Sequence, residues 1–169
     1  PKTDPAKIKG NGSATESLKM IAKADATFLS RADKSGTHSK ELAIWKNGDL
    51  KPSGATDKWY LETGLGMGDL LSMANEKNGY ALVDSGTWGA MSSKLSNLEI
   101  MVKGDPFLFN PHGVITVNPN YYPNTNKKGS IRKIIYSFPK VGVKGTYGEV
   151  RENIALEVIR HHRILELFL

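Results

Sequence analysis

Cysteine is absent from the 169 residues, which excludes a disulfide framework, a thiolate metal site and a cysteine nucleophile and leaves the redox compartment open. No apolar run approaches the roughly 20 residues of a membrane-spanning helix, and no signal-peptide pattern opens the sequence. Arginine is nearly missing from the first 126 residues, where Arg31 stands alone. Catalytic signatures are missing too. There is no Gly-x-Ser-x-Gly elbow, no His-Glu-x-x-His, no Gly-Lys-Ser/Thr phosphate loop and no convincing acid pair, so the expectation is a protein that is not an enzyme. The sequence begins Pro1-Lys2-Thr3-Asp4-Pro5 without an initiator Met, which reads as the interior of something longer.

What is present is ordinary in amount and uneven in placement. The hydrophobic share of 39% is enough for a real core in one domain or one lobe. The formal charge is +6 and the isoelectric point near 9.4. Nine of the Lys and Arg residues but only four of the Asp and Glu residues lie in residues 127–169, so the body is nearly neutral. A nucleic-acid binder needs a basic face on the folded body with stacking aromatics, and that pattern is not here.

Pro1 to Gly12 reads as a connecting segment, with two prolines and alternating charge. Ser13-Ala14-Thr15-Glu16 matches a capping box, followed by a helix with Leu18, Ile21 and Ala22 on one face. Thr27 to Leu29 is a short buried strand. The stretch Ser30-Arg31-Ala32-Asp33-Lys34-Ser35-Gly36-Thr37-His38 follows and leads into a helix from Ser39 to Lys46, with Leu42 and Trp45 on one side. Such a turn points unpartnered N–H groups outward beside the arginine, which outlines an anion site. Ser35 and Thr37 add hydroxyls and suit helix caps, Gly36 permits close approach, and Arg31 supplies charge with a planar fork of donors. A polar turn that merely caps a helix is the alternative reading. Trp45 is assigned to the core, and His38 to the helix start.

Residues 49–58 read as a surface loop. Lys58-Trp59-Tyr60-Leu61-Glu62-Thr63-Gly64-Leu65-Gly66-Met67-Gly68 again runs from strand to Gly-rich turn to helix, with Met67, Leu70, Leu71 and Ala74 at helical spacing and Asn78-Gly79 closing the helix. The glycine spacing is not that of a dinucleotide fingerprint. Thr63, Gly64, Gly66 and Met67 are therefore candidates for lining the same cleft as the first turn, with tight turning and close helix packing as the alternative. Tyr80 to Val83 is a strand, Asp84-Ser85-Gly86-Thr87 caps a helix to about Leu95, and Leu98 to Val102 and Val114 to Val117 are strands. This alternation predicts an α/β layer with a largely parallel sheet and ligands at the carboxyl ends of its strands.

These motifs carry a family resemblance. Residues 30–38 with Lys40-Glu41 and Trp45, then Trp59-Tyr60-Leu61-Glu62-Thr63-Gly64 with Gly66-Met67 and Met73-Ala74-Asn75-Glu76, resemble the tungstate-binding proteins of ABC importers. Asp84-Ser85-Gly86-Thr87, Gly104-Asp105-Pro106, Leu108-Phe109-Asn110-Pro111 and Gly113-Val114-Ile115 continue the likeness in order, over roughly residues 1–126. The resemblance implies a periplasmic-binding-protein-like (type II) lobe that binds tungstate or molybdate. It also implies an ABC permease as partner, a periplasmic or extracytoplasmic location, and no cofactor or metal cation. Arg31 and Thr37 become the foremost oxyanion contacts, with Ser35 and Gly36 shaping the loop.

The sequence also departs from that family. The first-lobe segment with its Thr/Ser-rich loop is missing, so most of the first lobe is expected to be lacking and one lobe alone is expected to bind weakly. The expected organisation is a connector at residues 1–12, an α/β oxyanion-binding lobe with a return crossover strand at 13–119, and a divergent basic tail at 120–169. The family's closing helix does not follow Asn126, whether by frameshift, fusion or divergence, and an apolar-basic helix is expected from about Asn153 to Phe168. His161-His162 in that helix point in different directions, against a metal site. An oxyanion sensor domain of a transcriptional regulator is the second reading.

Overall fold

The computed structural model describes residues 1–110 throughout and, beyond them, the backbone of four strands, 112–115, 134–137, 159–161 and 165–168. The elements in order are α1 (Ala14–Lys23), β1 (Phe28–Ser30), α2 (Gly36–Asn47), β2 (Tyr60–Glu62), α3 (Met67–Lys77), β3 (Tyr80–Asp84) and α4 (Ser85–Met91). Then come β4 (Ile100–Val102), β5 (His112–Ile115), β6 (Ile134–Ser137), β7 (Ile159–His161) and β8 (Leu165–Phe168). Two units are defined: residues 1–110 with 163–169, and residues 111–162.

The first unit holds a five-stranded sheet in the order β2-β1-β3-β8-β4. β1 lies between β2 and β3 and is parallel to both, with Phe28 opposite Tyr60 on one side and Tyr80 on the other. Side chains alternate across a strand, and the burial follows that period. Phe28, Tyr60, Tyr80 and Leu82 join Leu18, Ile21, Ile44 and Trp45 on one face, beneath α1 and α2. Leu29, Ala81 and Val83 join Met67, Leu70, Leu71 and Ala74 on the other, beneath α3. Both faces are covered, as parallel strands require. Trp45 is a core residue, set edge-on to Phe28 at 5.3 Å between ring centroids.

Several local expectations change. α2 begins at Gly36, a turn earlier than Ser39, because Ser35 takes the cap position and accepts the His38 N–H. Its buried face is Thr37, Lys40, Glu41, Ile44 and Trp45, while Leu42 is exposed. The capping box at Ser13 is half made: Ser13 Oγ accepts the Glu16 N–H at 3.3 Å. The Glu16 carboxylate turns instead to Lys19, and the Ser13 N–H goes to Asn11 Oδ1. The 1–12 segment is anchored, with Ile8 in the core and Asp4 accepting N–H groups from Ile8 and Lys9 and the Tyr80 hydroxyl.

The helix expected over 153–168 is not formed, since 159–161 and 165–168 are strands. Short apolar runs carry no period that separates the two states, and β8 fills the place between β3 and β4, antiparallel to both. His161 accordingly sits on a strand, and His162 lies outside the described residues. In the second unit β5 pairs antiparallel with β6 and with β7. Of the crossover strand expected at Val114 to Val117, the first two residues belong to β5 and the rest lie outside the described residues. Most of the 120–169 tail does too.

α3 ends where Asn78 adopts φ +49°, and Gly79 then turns directly into β3. A Cβ at Gly79 would overlap Leu29 Cδ1 and lie 3.3 Å from the Thr27 carbonyl oxygen. Leu29 is fully buried, so its side chain can give way only by displacing its neighbours. Gly79→Ala should therefore destabilise the protein by about 1–3 kcal/mol. Urea unfolding checks this, and a midpoint equal to that of the unmodified chain would show that the contact relaxes freely.

Candidate functional site

Because β1 and β2 are parallel and in register, with Ser30 opposite Glu62, their two following turns leave the sheet on the same edge. The join is direct. Thr63 donates both its N–H, at 3.0 Å, and its hydroxyl, at 2.9 Å, to the Ser30 carbonyl, and its Oγ1 accepts the Leu65 N–H. β3 is parallel to β1 as well, so the start of α4 opens on this edge too, capped by Asp84, which accepts the Thr87 N–H and hydroxyl.

The turn from residue 31 to 38 is held internally. Asp33 Oδ2 accepts from Arg31 Nη2 and Oδ1 accepts the Ser35 N–H at 3.0 Å. Burial raises the Asp33 pKa, but the Ser35 hydrogen bonds and the Arg31 guanidinium outweigh it and hold the carboxyl below the usual range. His38 Nδ1 accepts the Lys34 N–H at 3.0 Å, so this ring nitrogen braces the turn. Ala32 and Lys34 sit at φ +47° and +60°, a region that carries strain for residues other than glycine and persists only where neighbours enforce it.

Donors remain. Arg31 Nε is buried and has no hydrogen-bond partner among the described residues. The N–H groups of Gly36 and Thr37, first in the helix, likewise find no acceptor there, and the Thr37 hydroxyl is uncommitted among those residues. Ser35 Oγ accepts from His38, and its own hydrogen is engaged by the Asp33 carboxylate. The turn thus brings the open donors of Arg31, Gly36 and Thr37 together, with Ser35 capping the helix and the Arg31 charge paired with Asp33.

The second turn contributes differently. Gly64 takes φ +68°, which only glycine adopts without strain, and open space surrounds it. Gly66 begins α3 with no side-chain cap. Met67 packs into the core with Leu70 and Leu71, so its side chain faces away from solvent. Thr63 has its hydroxyl engaged by Ser30 and Leu65. Residues 63–67 therefore shape the edge mainly with their backbone. An open concavity lined by Asp25, Thr27, Asp57 and Trp59 lies at the other edge, by the N-terminal ends of β1 and β2, away from where ligands of such sheets sit.

Sequence reasoning missed the group behind the turn. The Glu41 carboxylate, buried on α2, accepts from three donors: the Ser30 hydroxyl at 2.9 Å, Trp45 Nε1 at 3.2 Å and the Tyr60 hydroxyl at 2.6 Å. Burial pushes its pKa up to about 7 against the lowering effect of those donors, and the Glu62 carboxylate adds to the rise. Burial and the Glu41 carboxylate together raise the Tyr60 pKa. Lys40, one residue earlier, is also buried and has its ammonium 5.3 Å from the Phe107 ring centroid. The signals available in sequence were the place of Lys40-Glu41 and Trp45 in the family resemblance and the i, i+4 spacing that puts Glu41 and Trp45 on one helix face. Among the described residues, no group of three His, Asp or Glu side chains is placed to hold a metal ion.

A mostly parallel α/β sheet with donor-rich turns at its carboxyl edge is a layout in which α/β lobes place ligands. Residues 1–133 match the PBP superfamily domain, and the chain belongs to that superfamily. It is 39% identical over 153 residues to the tungstate-binding protein TupA of Peptoclostridium acidaminophilum, covering 88% of this chain and 52% of that one. Against the tungstate-binding protein TupA of Campylobacter jejuni it is 40% identical over 123 residues, covering 71% and 45%. The crystal structure of the tungstate ABC transporter from Geobacter sulfurreducens matches with a TM-score of 0.66 at 45% identity, over 75% of this chain and 52% of that one. The chain thus spans about half the length of these relatives.

The raised Glu41 pKa has a stability consequence. Between about pH 4.5 and 7 the folded state holds this proton and the unfolded state has lost it. The corresponding stabilisation is full below about pH 4.5 and is lost as the pH rises through 7, a change on the order of 3 kcal/mol. Glu41→Gln cannot ionise, so its stability should fall less across this window. Urea unfolding of both proteins at about pH 5 and pH 8 measures the difference, and equal changes would mean that Glu41 titrates normally.

Proposed function

We propose that this chain is the oxyanion-binding part of an extracytoplasmic solute-binding protein that serves an ABC importer, and that it takes tungstate or molybdate for delivery to the permease. One observation carries the reading: a buried Arg31 Nε and the N–H groups of Gly36 and Thr37, in the same turn, have no hydrogen-bond partner among the described residues. Tungstate is a tetrahedral dianion held through its oxygens, and it calls for N–H, hydroxyl and guanidinium donors in place of the acceptors that bind cations. The start of α2 adds about 0.3–1 kcal/mol of electrostatic attraction, and a charge-assisted arginine bond about 1.5–3 kcal/mol. The role is binding without catalysis. The likeness to the tungstate ABC transporter of Geobacter sulfurreducens favours transport over the sensor-domain alternative.

Two-lobed binders gain strength by closing over the ligand and excluding water. The 30–38 and 63–67 turns supply one face of such a cleft, so binding by this chain is expected to be weak and is best read site by site.

Backbone amide NMR shifts during titration with sodium tungstate, molybdate, sulfate and phosphate test the reading. Residues 31–38 should respond at lower concentrations of tungstate and molybdate than of the other two anions. Arg31→Ala should raise the half-saturating tungstate concentration at least about tenfold, and Arg31→Lys should raise it less, since Lys keeps the charge but loses the fork. Unchanged saturation in Arg31→Ala would refute the assignment.

A further inference from the structure

Ser30 and Glu41 lie behind the donors of the turn and are not among the groups assigned to the anion. Ser30 is fully buried. Its hydroxyl has one hydrogen, directed to Glu41 Oε2, and its oxygen accepts the Ala32 N–H at 3.3 Å. Ala32 is the left-handed residue between Arg31 and Asp33, so this contact fixes the main chain at the point where the turn is strained. The carboxylate is in turn placed by donors from three elements, Ser30 of β1, Trp45 of α2 and Tyr60 of β2. Its position is thereby set by the core, and the turn is referred to the core through a single serine.

We propose that Glu41 is a positioning residue for the oxyanion turn, acting through the Ser30 hydroxyl on the main chain at Ala32; this rests on the reading of residues 31–37 as an anion site. Direction of donation is the key. Above about pH 7 Glu41 is ionised, and an ionised carboxylate only accepts, so it draws the Ser30 hydrogen toward itself and leaves the oxygen free to receive the Ala32 N–H. Gln at position 41 keeps the shape but not the direction. The Trp45 indole N–H can only donate, so the amide oxygen must face it and the amide NH2 must face Ser30. Ser30 then receives a donor from both sides, its own hydrogen loses the carboxylate that held it, and the hydroxyl is no longer fixed in the orientation that receives the Ala32 N–H.

Hydrogen exchange on the full chain at about pH 8, where Glu41 is ionised, tests this without any ligand. Protection of the Ala32 amide should fall about tenfold in Glu41→Gln and in Ser30→Ala, with no further loss in the double variant. The Phe28 and Tyr80 amides, bonded to Trp59 and Thr27 carbonyls in the sheet, should be unaffected. Undiminished Ala32 protection in Glu41→Gln, or additive losses, would overturn the proposal. The tungstate titration at the same pH gives a second readout. Glu41→Gln should weaken half-saturation about fivefold in the native background. In the Ser30→Ala background it should leave affinity equal or tighter, because there only the relief of charge repulsion remains. The same weakening in both backgrounds would show that Glu41 does not act through Ser30. If no oxyanion shifts the native amides, the functional reading fails, while the exchange comparison still decides whether Glu41 orders the turn.

Discussion

The Ser30 carbonyl marks where strand pairing stops and the candidate site starts. By accepting two hydrogen bonds from Thr63, it carries the β1–β2 register one residue past the sheet and locks two turns to a common edge. The same residue's hydroxyl reaches the Glu41 carboxylate inside the core. Backbone and side chain of one serine therefore link the aromatic packing of Phe28, Trp45 and Tyr60 to the placement of the Arg31 turn. A donor-rich loop held only by its own hydrogen bonds would reorganise around solvent. This one is pinned from below.

Much of the lobe is legible in the sequence because short apolar runs alternate in order with capped helices. Phe28 and Leu29, and Tyr80 through Val83, send successive side chains into opposite cores, and the Met67, Leu70, Leu71 and Ala74 spacing matches the buried stripe of α3. α2 resists the same reading because Lys40 and Glu41 occupy its buried face while Leu42 faces solvent. Hydrophobic periodicity presumes that burial and polarity exclude one another, and a carboxylate with three donors breaks that presumption. Ile8 escapes notice for a different reason: one aliphatic residue in a polar run has no period at all.

The candidate site divides in the same way. Local chemistry marks Arg31, Ser35, Gly36 and Thr37, since a strand, a short polar turn and a helix start lie together in sequence. The braces do not lie together. Ser30 to Glu41, Tyr60 to Glu41 and Thr63 to Ser30 are contacts between elements, and only the strand register brings them into reach. Thr63 and Met67 show the converse: a residue in a suggestive motif can be engaged by its neighbours or turned into the core.

The sheet order has a consequence for how the chain comes to be assembled. β3 and β4 are not neighbours; Leu165–Phe168 lies between them and bonds to each. During synthesis from the N-terminus, Tyr80–Asp84 and Ile100–Val102 emerge long before the segment that joins them. The β2-β1-β3 half, with its helices, has its partners close at hand, whereas β4 waits on a distant stretch whose loop closure is slow. Until that segment is made, β3 presents an unpaired edge. The turns at residues 30–38 and 63–67 belong to the early half.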